Sequence, residues 1–274
     1  MNVRKRLMAH VADGHFSLSG IDPGNSHGVK RTKAEKGLLK HAARIAELQS
    51  QLNAENRRTI LIVLQGMDTA GKDGTISHVM SQMNPQGVRV VGFKQPTPEE
   101  LRHHFLWRIR KALPDPGQIV IFNRSQYEDV LVPRVKKLVP DRVLDSRYEQ
   151  INRFEKETIE RRDTTIIKLC LHISYEEQRQ RLLARLHDPT KLWKFSEEDI
   201  RNRVYWDDYM AAYDLAIARC STPYAPWYVI PANNKWFRNW AVARILSETL
   251  REMNPQYPKP KLDIPGLEAK LQAS

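Results

Sequence analysis

The chain has 274 residues, enough for one large domain or two small ones with a substantial core. At 41% hydrophobic and 28% charged it is neither a collagen, a low-complexity polymer nor a wholly disordered chain. With 44 Lys and Arg against 32 Asp and Glu, its net charge of +12 points to a polyanionic partner: a phosphorylated metabolite, nucleic acid or an anionic membrane.

Residues 1–31 mix polar side chains with Gly14, Gly20, Pro23, Gly24 and Gly28, and are expected to form a poorly ordered basic arm. No apolar stretch follows Arg4-Lys5-Arg6, so no secretory signal is expected, and no apolar run approaches the roughly 18 residues of a membrane helix. Leu38, Leu39, Ala42, Ile45, Ala46 and Leu52 recur at helical spacing and predict an amphipathic helix over 32–54. Ile60 to Leu64 is short, wholly apolar and rich in β-branching, as in a buried strand of a parallel sheet. A loop at 66–71 leads to a helix at 72–82, and 88–93 is the second strand. Thr97-Pro98-Glu99-Glu100 caps a helix expected to run to Leu113, before Pro114. Further strands are predicted at 118–122, 164–173 and 227–230. Helices are predicted at 141–162, from the Ser174–Glu177 capping box, from Ser196 to Arg219, and at 235–252. Pro255, Pro258, Pro260 and Pro265 mark residues 254–274 as an extended tail. Alternation of strands and helices predicts an α/β fold: one domain over 32–253, with an open parallel sheet covered by helices on both faces. Two cysteines, Cys170 and Cys220, cannot build a disulfide framework or a zinc site; the simplest compartment is a reducing cytoplasm.

The sharpest motif is Gly66-Met67-Asp68-Thr69-Ala70-Gly71-Lys72-Asp73, with the G-x-x-x-x-G-K spacing of a Walker A loop between a strand and a helix. Its glycines let successive N–H groups curl around one phosphate, the helix N-terminus adds its dipole, and Lys72 reaches the outer phosphates. Asp73 replaces the Ser or Thr that usually ligates Mg²⁺, with Gly74 and Thr75 next. Asp68 places a second acid inside the loop. Acids beside phosphate need a cation between them, so Mg²⁺ is the expected cofactor.

Asn123-Arg124-Ser125-Gln126-Tyr127-Glu128-Asp129 follows the third strand, where an open parallel sheet binds its ligands. Arg124 suits a bidentate phosphate clamp, and Glu128 and Asp129 suit a metal or the orientation of an acceptor. Arg181 and Arg185 share a helix face; with Lys191 and Lys194 they suit a lid over 175–206 that closes on phosphates. Lys94 is a weaker phosphate candidate. Trp193, Trp206, Tyr209 and Tyr213 could stack on a base, although core positions are the commoner use of such aromatics.

Together these residues resemble the polyphosphate kinase 2 family. The matching segments are 66–74, Arg124-Ser-x-Tyr127, Glu176-Glu-Gln178, Asp188-Pro-x-Lys-x-Trp-Lys194 and Ile230-Pro-Ala-Asn-Asn-Lys235. The resemblance implies a P-loop kinase fold related to thymidylate kinases, with a helical lid. It also implies reversible, Mg²⁺-dependent transfer of a terminal phosphate between inorganic polyphosphate and a nucleotide. Carried onto this chain, it puts phosphate on Gly66, Gly71, Lys72, Gly74, Thr75, Arg124, Arg181, Arg185, Lys191 and Lys194. Metal falls to Asp68 and Asp73 by that likeness, and Asp129 joins them as a metal candidate on its own chemistry. Glu128-Asp129 looks like the subgroup that phosphorylates both AMP and ADP, where other subgroups carry Asn-Arg. Neither a nucleic acid nor a membrane is the expected partner, and a homo-oligomer is. An ATP-dependent nucleoside monophosphate kinase shares the loop and lid and is the alternative reading.

Overall fold

Five apolar stretches pair in parallel into one sheet: β1 (Thr59–Gly66), β2 (Val88–Gly92), β3 (Ile119–Asn123), β4 (Thr164–His172) and β5 (Trp227–Pro231). The strand order is β2-β3-β1-β4-β5. The structure, a computed structural model, describes residues 3–81 and 83–274. The helices are α1 (Val3–Leu7), α2 (Arg31–Glu55), α3 (Lys72–Met80), α4 (Trp107–Lys111), α5 (Glu128–Val135) and α6 (Asp141–Arg162). They continue as α7 (Tyr175–Leu186), α8 (Glu197–Asn202), α9 (Trp206–Cys220), α10 (Lys235–Met253) and α11 (Ile264–Ala273).

The central strand explains the two-sided architecture. Side chains alternate along a strand, and β1 is apolar at both parities. Ile60, Ile62 and Leu64 pack with α2, α3 and α10; Leu61 and Val63 pack with α4, α5, α6 and α9. Each buried aliphatic side chain contributes about 1.5–3 kcal/mol relative to exposure. Parallel pairing sets Leu64 beside Asn123 and Gly66 beside Leu171. The residues that follow β1, β3 and β4 therefore emerge along one edge. The open parallel sheet with helices on both faces is the expected architecture.

Several expected boundaries are corrected. The arm is not loose: Val3, Leu7 and Leu18 are buried, and Ala9 N donates to Trp227 O at 2.8 Å. Arg4 pairs with Glu252 at 2.6 Å. The arm's apolar residues are too few to mark a face, but α1 covers β5, an edge strand whose unpaired backbone needs a cover, and Leu18 packs on α9. The helix expected over 97–113 is one turn at Glu100–Arg102 and then α4, although Thr97 and Glu100 do form the capping box. His103 adopts an extended backbone between them, and Leu106 beyond it is buried. The helix expected over 196–219 divides into α8, a 3₁₀ turn at Arg203–Tyr205 and α9. The tail holds a helix not expected there, α11, capped by Asp263 onto Gly266 N with Pro265 in its first turn. The prolines that read as extended chain include a helix-starting one. Among the described residues no helix is long and apolar enough to cross a membrane.

Candidate active site

The Walker A segment closes the end of β1. Gly66 and Gly71 take φ values of 153° and 103°, and Thr69 takes 63°. A Cβ on Gly66 would lie 2.6 Å from Leu171 O, so only glycine fits there. Lys72 donates its Nζ back to Gly66 O at 2.7 Å and Met67 O at 3.2 Å, spanning the loop from the first turn of α3. Desolvation lowers its pKa, with Asp68 opposing. Thr75 is buried and donates its hydroxyl to Gly71 O, 3.0 Å away, which ties α3 to the loop.

Each acid of the loop meets its own cation. Asp68 Oδ1 accepts from Arg124 Nη2 at 3.0 Å. Arg124 leaves β3 with φ of 66°, and its N–H donates to Leu64 O, which turns the side chain across the sheet end. Asp73 uses both oxygens: Oδ1 accepts from Asn123 Nδ2 at 2.9 Å and Oδ2 from Lys194 Nζ at 2.8 Å. The Lys194 hydrogen bond holds the Asp73 carboxyl below its ordinary pKa, against partial desolvation.

Glu128 and Asp129 open α5, with both acids in its first turn. Burial raises the pKa of Glu128, against the pull of Arg124 and Lys72; Gln65 Nε2 donates to it at 3.2 Å. Asp129 is turned the other way. Its carboxylate pairs with Arg108 at 3.2 Å, and Arg147 holds its backbone carbonyl at 2.6 Å. Burial raises its pKa, with Arg108 opposing. Glu128, Asp129, Arg108 and Arg147 line a cleft of about 590 Å³ that runs from Gly66 and Asp68 past Arg124 to Val132, Tyr209 and Tyr213. Lys94 lines it too. Tyr213 is both core and wall, whereas Trp193 is exposed and lies outside it. Trp206 packs against both cores and also stays outside it.

The lid residues take separate positions. Lys194 reaches Asp73. Arg185 pairs with Asp199 at 3.1 Å, and Lys191 pairs with Asp188 beside it. Arg181, expected on phosphate, is turned under the loop instead. Its Nη1 donates to Thr69 O and Ala70 O, its Nη2 to Ala232 O and Asn233 O, and its Nε to Glu177. Every donor of the fork is occupied, because loop carbonyls that face inward need buried partners. Asp68, Asp73 and Asp129 do not form one metal cluster: no three His, Cys, Asp or Glu side chains do so among the described residues.

Four further residues support the site, none of them expected there from the sequence. Arg238 on α10 is buried against Gly71, with Nη1 3.3 Å from Ala70 O, and desolvation followed by Arg181 lowers its pKa to about 10. Gln178 donates to Asp68 O at 3.2 Å, Asn123 orients Asp73, and Arg108 fixes Asp129. Gln178 lay inside a matched motif, but Arg238 and Arg108 sit in ordinary helical stretches with no local signal.

Comparison with known proteins gives the family and the fold. The family model described as Polyphosphate kinase 2 (PPK2) matches residues 28–258. The AMP/ADP-polyphosphate phosphotransferase of Meiothermus ruber is 49% identical over 251 residues, 91% of this chain and 94% of that protein. The ADP-polyphosphate phosphotransferase of Rhodopseudomonas palustris is 41% identical over 245 residues, covering 85% of this chain and 82% of its own. A crystal structure of Polyphosphate Kinase 2 from Arthrobacter aurescens TC1 superposes with a TM-score of 0.92 at 45% identity, over 98% of this chain and 96% of that one. A glycine-bent phosphate loop with an aspartate after its lysine, set in this sheet and matched along nearly its whole length, places the chain in the polyphosphate kinase 2 family.

Proposed function

We propose that this chain catalyses reversible, Mg²⁺-dependent transfer of the terminal phosphate of inorganic polyphosphate to AMP and ADP, giving ADP and ATP. The observation that carries this reading is the pairing of Asp68 with Arg124 and of Asp73 with Lys194 on either side of the Lys72 loop. Two acids and three cations converge where a phosphoryl group would sit, and phosphoryl transfer is catalysed by positioning and charge neutralisation. The loop N–H groups and Lys72 hold the donor phosphate, and Arg124 clamps the transferred group. Lys194, carried by the lid with Arg185 and Lys191 nearby, brings positive charge over the polymer and excludes water. Polyphosphate shortens by one unit as the nucleotide gains one.

Asp68 and Asp73 fit Mg²⁺: they are hard carboxylate oxygens beside a phosphate site, and Mg²⁺ takes one or two carboxylates together with phosphate oxygens. Asp129 fits less well: its pair with Arg108 is buried, whereas the Asp68–Arg124 and Asp73–Lys194 pairs are more exposed and can exchange a cation for the metal. Bound there, Mg²⁺ would neutralise phosphate charge. Glu128 and Asp129 support acceptance of both AMP and ADP, as does the name of the Meiothermus ruber relative. The proposal includes a reducing cytoplasm, which accords with free Cys170 and Cys220, and a homo-oligomer, which accords with the exposed Ile264, Leu267 and Leu271 of α11.

The test is nucleotide analysis after mixing the protein with Mg²⁺, AMP and long-chain polyphosphate without ATP. ADP followed by ATP is expected. Reaction with ADP alone would remove AMP from the acceptors. Activity from ATP and AMP that fails with polyphosphate would replace the proposal with a monophosphate kinase.

A further inference from the structure

Beneath the Arg124 turn lies an ion pair shut off from solvent. Lys168 on β4 and Glu155 on α6 are each 0% exposed and meet at 2.6 Å. Neither belongs to a phosphate motif, and neither lines the cleft. Two buried charges are costly to desolvate, and apolar residues of the same volume often replace such a pair without loss of stability. Stability alone is therefore a weak account of this one.

Its hydrogen bonds lead to the site. Glu155 Oε1 accepts from Gln126 Nε2 at 3.0 Å and from the Tyr127 hydroxyl at 2.8 Å. Lys168 Nζ donates to Glu155 Oε2, to the Tyr127 hydroxyl at 3.1 Å and to Cys220 O at 2.6 Å. Two consecutive side chains are thus clamped to one carboxylate oxygen, and α9 anchors the lysine. Ser125, Gln126 and Tyr127 are all fully buried. The residue before them is Arg124, held at φ of 66°. A non-glycine residue keeps that left-handed backbone only where its surroundings over-determine it.

We propose that Glu155 and Lys168 are positioning residues: by fixing the Ser125–Tyr127 turn, they aim the Arg124 guanidinium at the transferred phosphate. This rests on Arg124 acting as the phosphate clamp of the reaction proposed above. It explains why a charged pair is buried beside a core that apolar residues otherwise fill.

The test is a mutant cycle read as ATP formation from ADP and polyphosphate. Glu155→Met with Lys168→Met removes both charges at similar volume. In an otherwise native chain the pair should cut kcat by about ten- to hundredfold, the scale of a small misplacement of a reacting group. The KM for ADP should stay near its native value. In an Arg124→Ala background, assayed at high enzyme concentration, the same pair should cost little further, because its effect runs through Arg124. Native kcat in a folded Met pair, or an equal further loss without Arg124, overturns the proposal. Should the Met pair fail to fold, Tyr127→Phe, which leaves the ion pair intact, enters the same cycle. A loss that vanishes without Arg124 supports the proposal, and no loss or an additive one overturns it. An unmodified chain inert toward polyphosphate would instead refute the reaction itself.

Discussion

One methyl group at Gly71 probes how the phosphate loop is held. A Cβ there would fall 1.8 Å from Arg238 Nη1, and the residue sits at φ of +103°. An exposed arginine would swing away at little cost. Arg238 is 3% exposed, and its fork donates to Ala70 O and Asn239 Oδ1. Gly71→Ala therefore carries two penalties. Forcing an L-residue into that backbone region costs about 1–3 kcal/mol. Dislodging a buried guanidinium from its partners costs about 1–3 kcal/mol more. The sum, about 2–6 kcal/mol, lowers Tm by roughly 3–10 °C for a chain of this size. Thermal unfolding followed by circular dichroism measures it. In an Arg238→Ala background the second penalty disappears and only the backbone part remains. Fully additive losses for the two substitutions would refute the claim that the guanidinium forms the loop's floor.

Three further outcomes follow from the same geometry. Lys72→Ala should lower turnover about 10²–10³-fold, as loss of one preorganised charge does, with an unchanged circular dichroism spectrum; near-normal activity would remove the loop from the mechanism. Asp68→Asn and Asp73→Asn should each cut turnover and shift the Mg²⁺ concentration needed for half activity, and an unmoved metal titration would count against both. Glu128 has its pKa raised by burial, so its ionised form weakens the fold. That penalty grows as pH rises from the unfolded value to the folded one and is fully present above it. Glu128→Gln should therefore raise Tm at pH 7.5 and raise it less near pH 4.5; a gain independent of pH would refute the assignment.

Much of this was legible in the sequence because the signals were local. Ile60–Leu64 reads as buried strand without help from any neighbour, and the 66–73 spacing carries its own chemistry. The losses came where a residue's role depends on a distant partner. Arg181 on a basic helix looks like a phosphate ligand until its fork is seen spent on Thr69, Ala70, Ala232 and Asn233 carbonyls. Nothing local to Asp129 signals that Arg108, 21 residues earlier, forms a buried pair with its carboxylate. The arm reads as loose because one short turn of helix around Val3 and Leu7 and a lone Leu18 carry too few apolar residues to mark a face, while β5 and α9, which they pack on, are formed about 200 residues later. Periodicity reports one element's own buried face; it cannot report which carbonyls another loop leaves unpaired.

The aspartate after the Walker lysine gains a physical reason from this arrangement. A Ser or Thr hydroxyl has one oxygen and reaches one partner in the ion's shell. Asp73 has two oxygens and spans two elements, taking Asn123 at the end of β3 on one and Lys194 of the lid on the other. The hydroxyl that a P-loop would place here is instead Thr75, bonded to Gly71 O and buried. The loop thus moves its hydroxyl into structural work and gives the exposed position to a charge that can bind the lid. The Asp73–Lys194 contact is a surface pair, 63% and 38% exposed at its side chains, and contributes only about 0–1 kcal/mol. That weakness suits a contact that must exchange. On the proposed reaction, a polyanion would compete for Lys194 and a divalent cation for Asp73, so the two ligands would release each other's site together. Binding of either one should therefore favour the other, a coupling that a serine at this position would not supply.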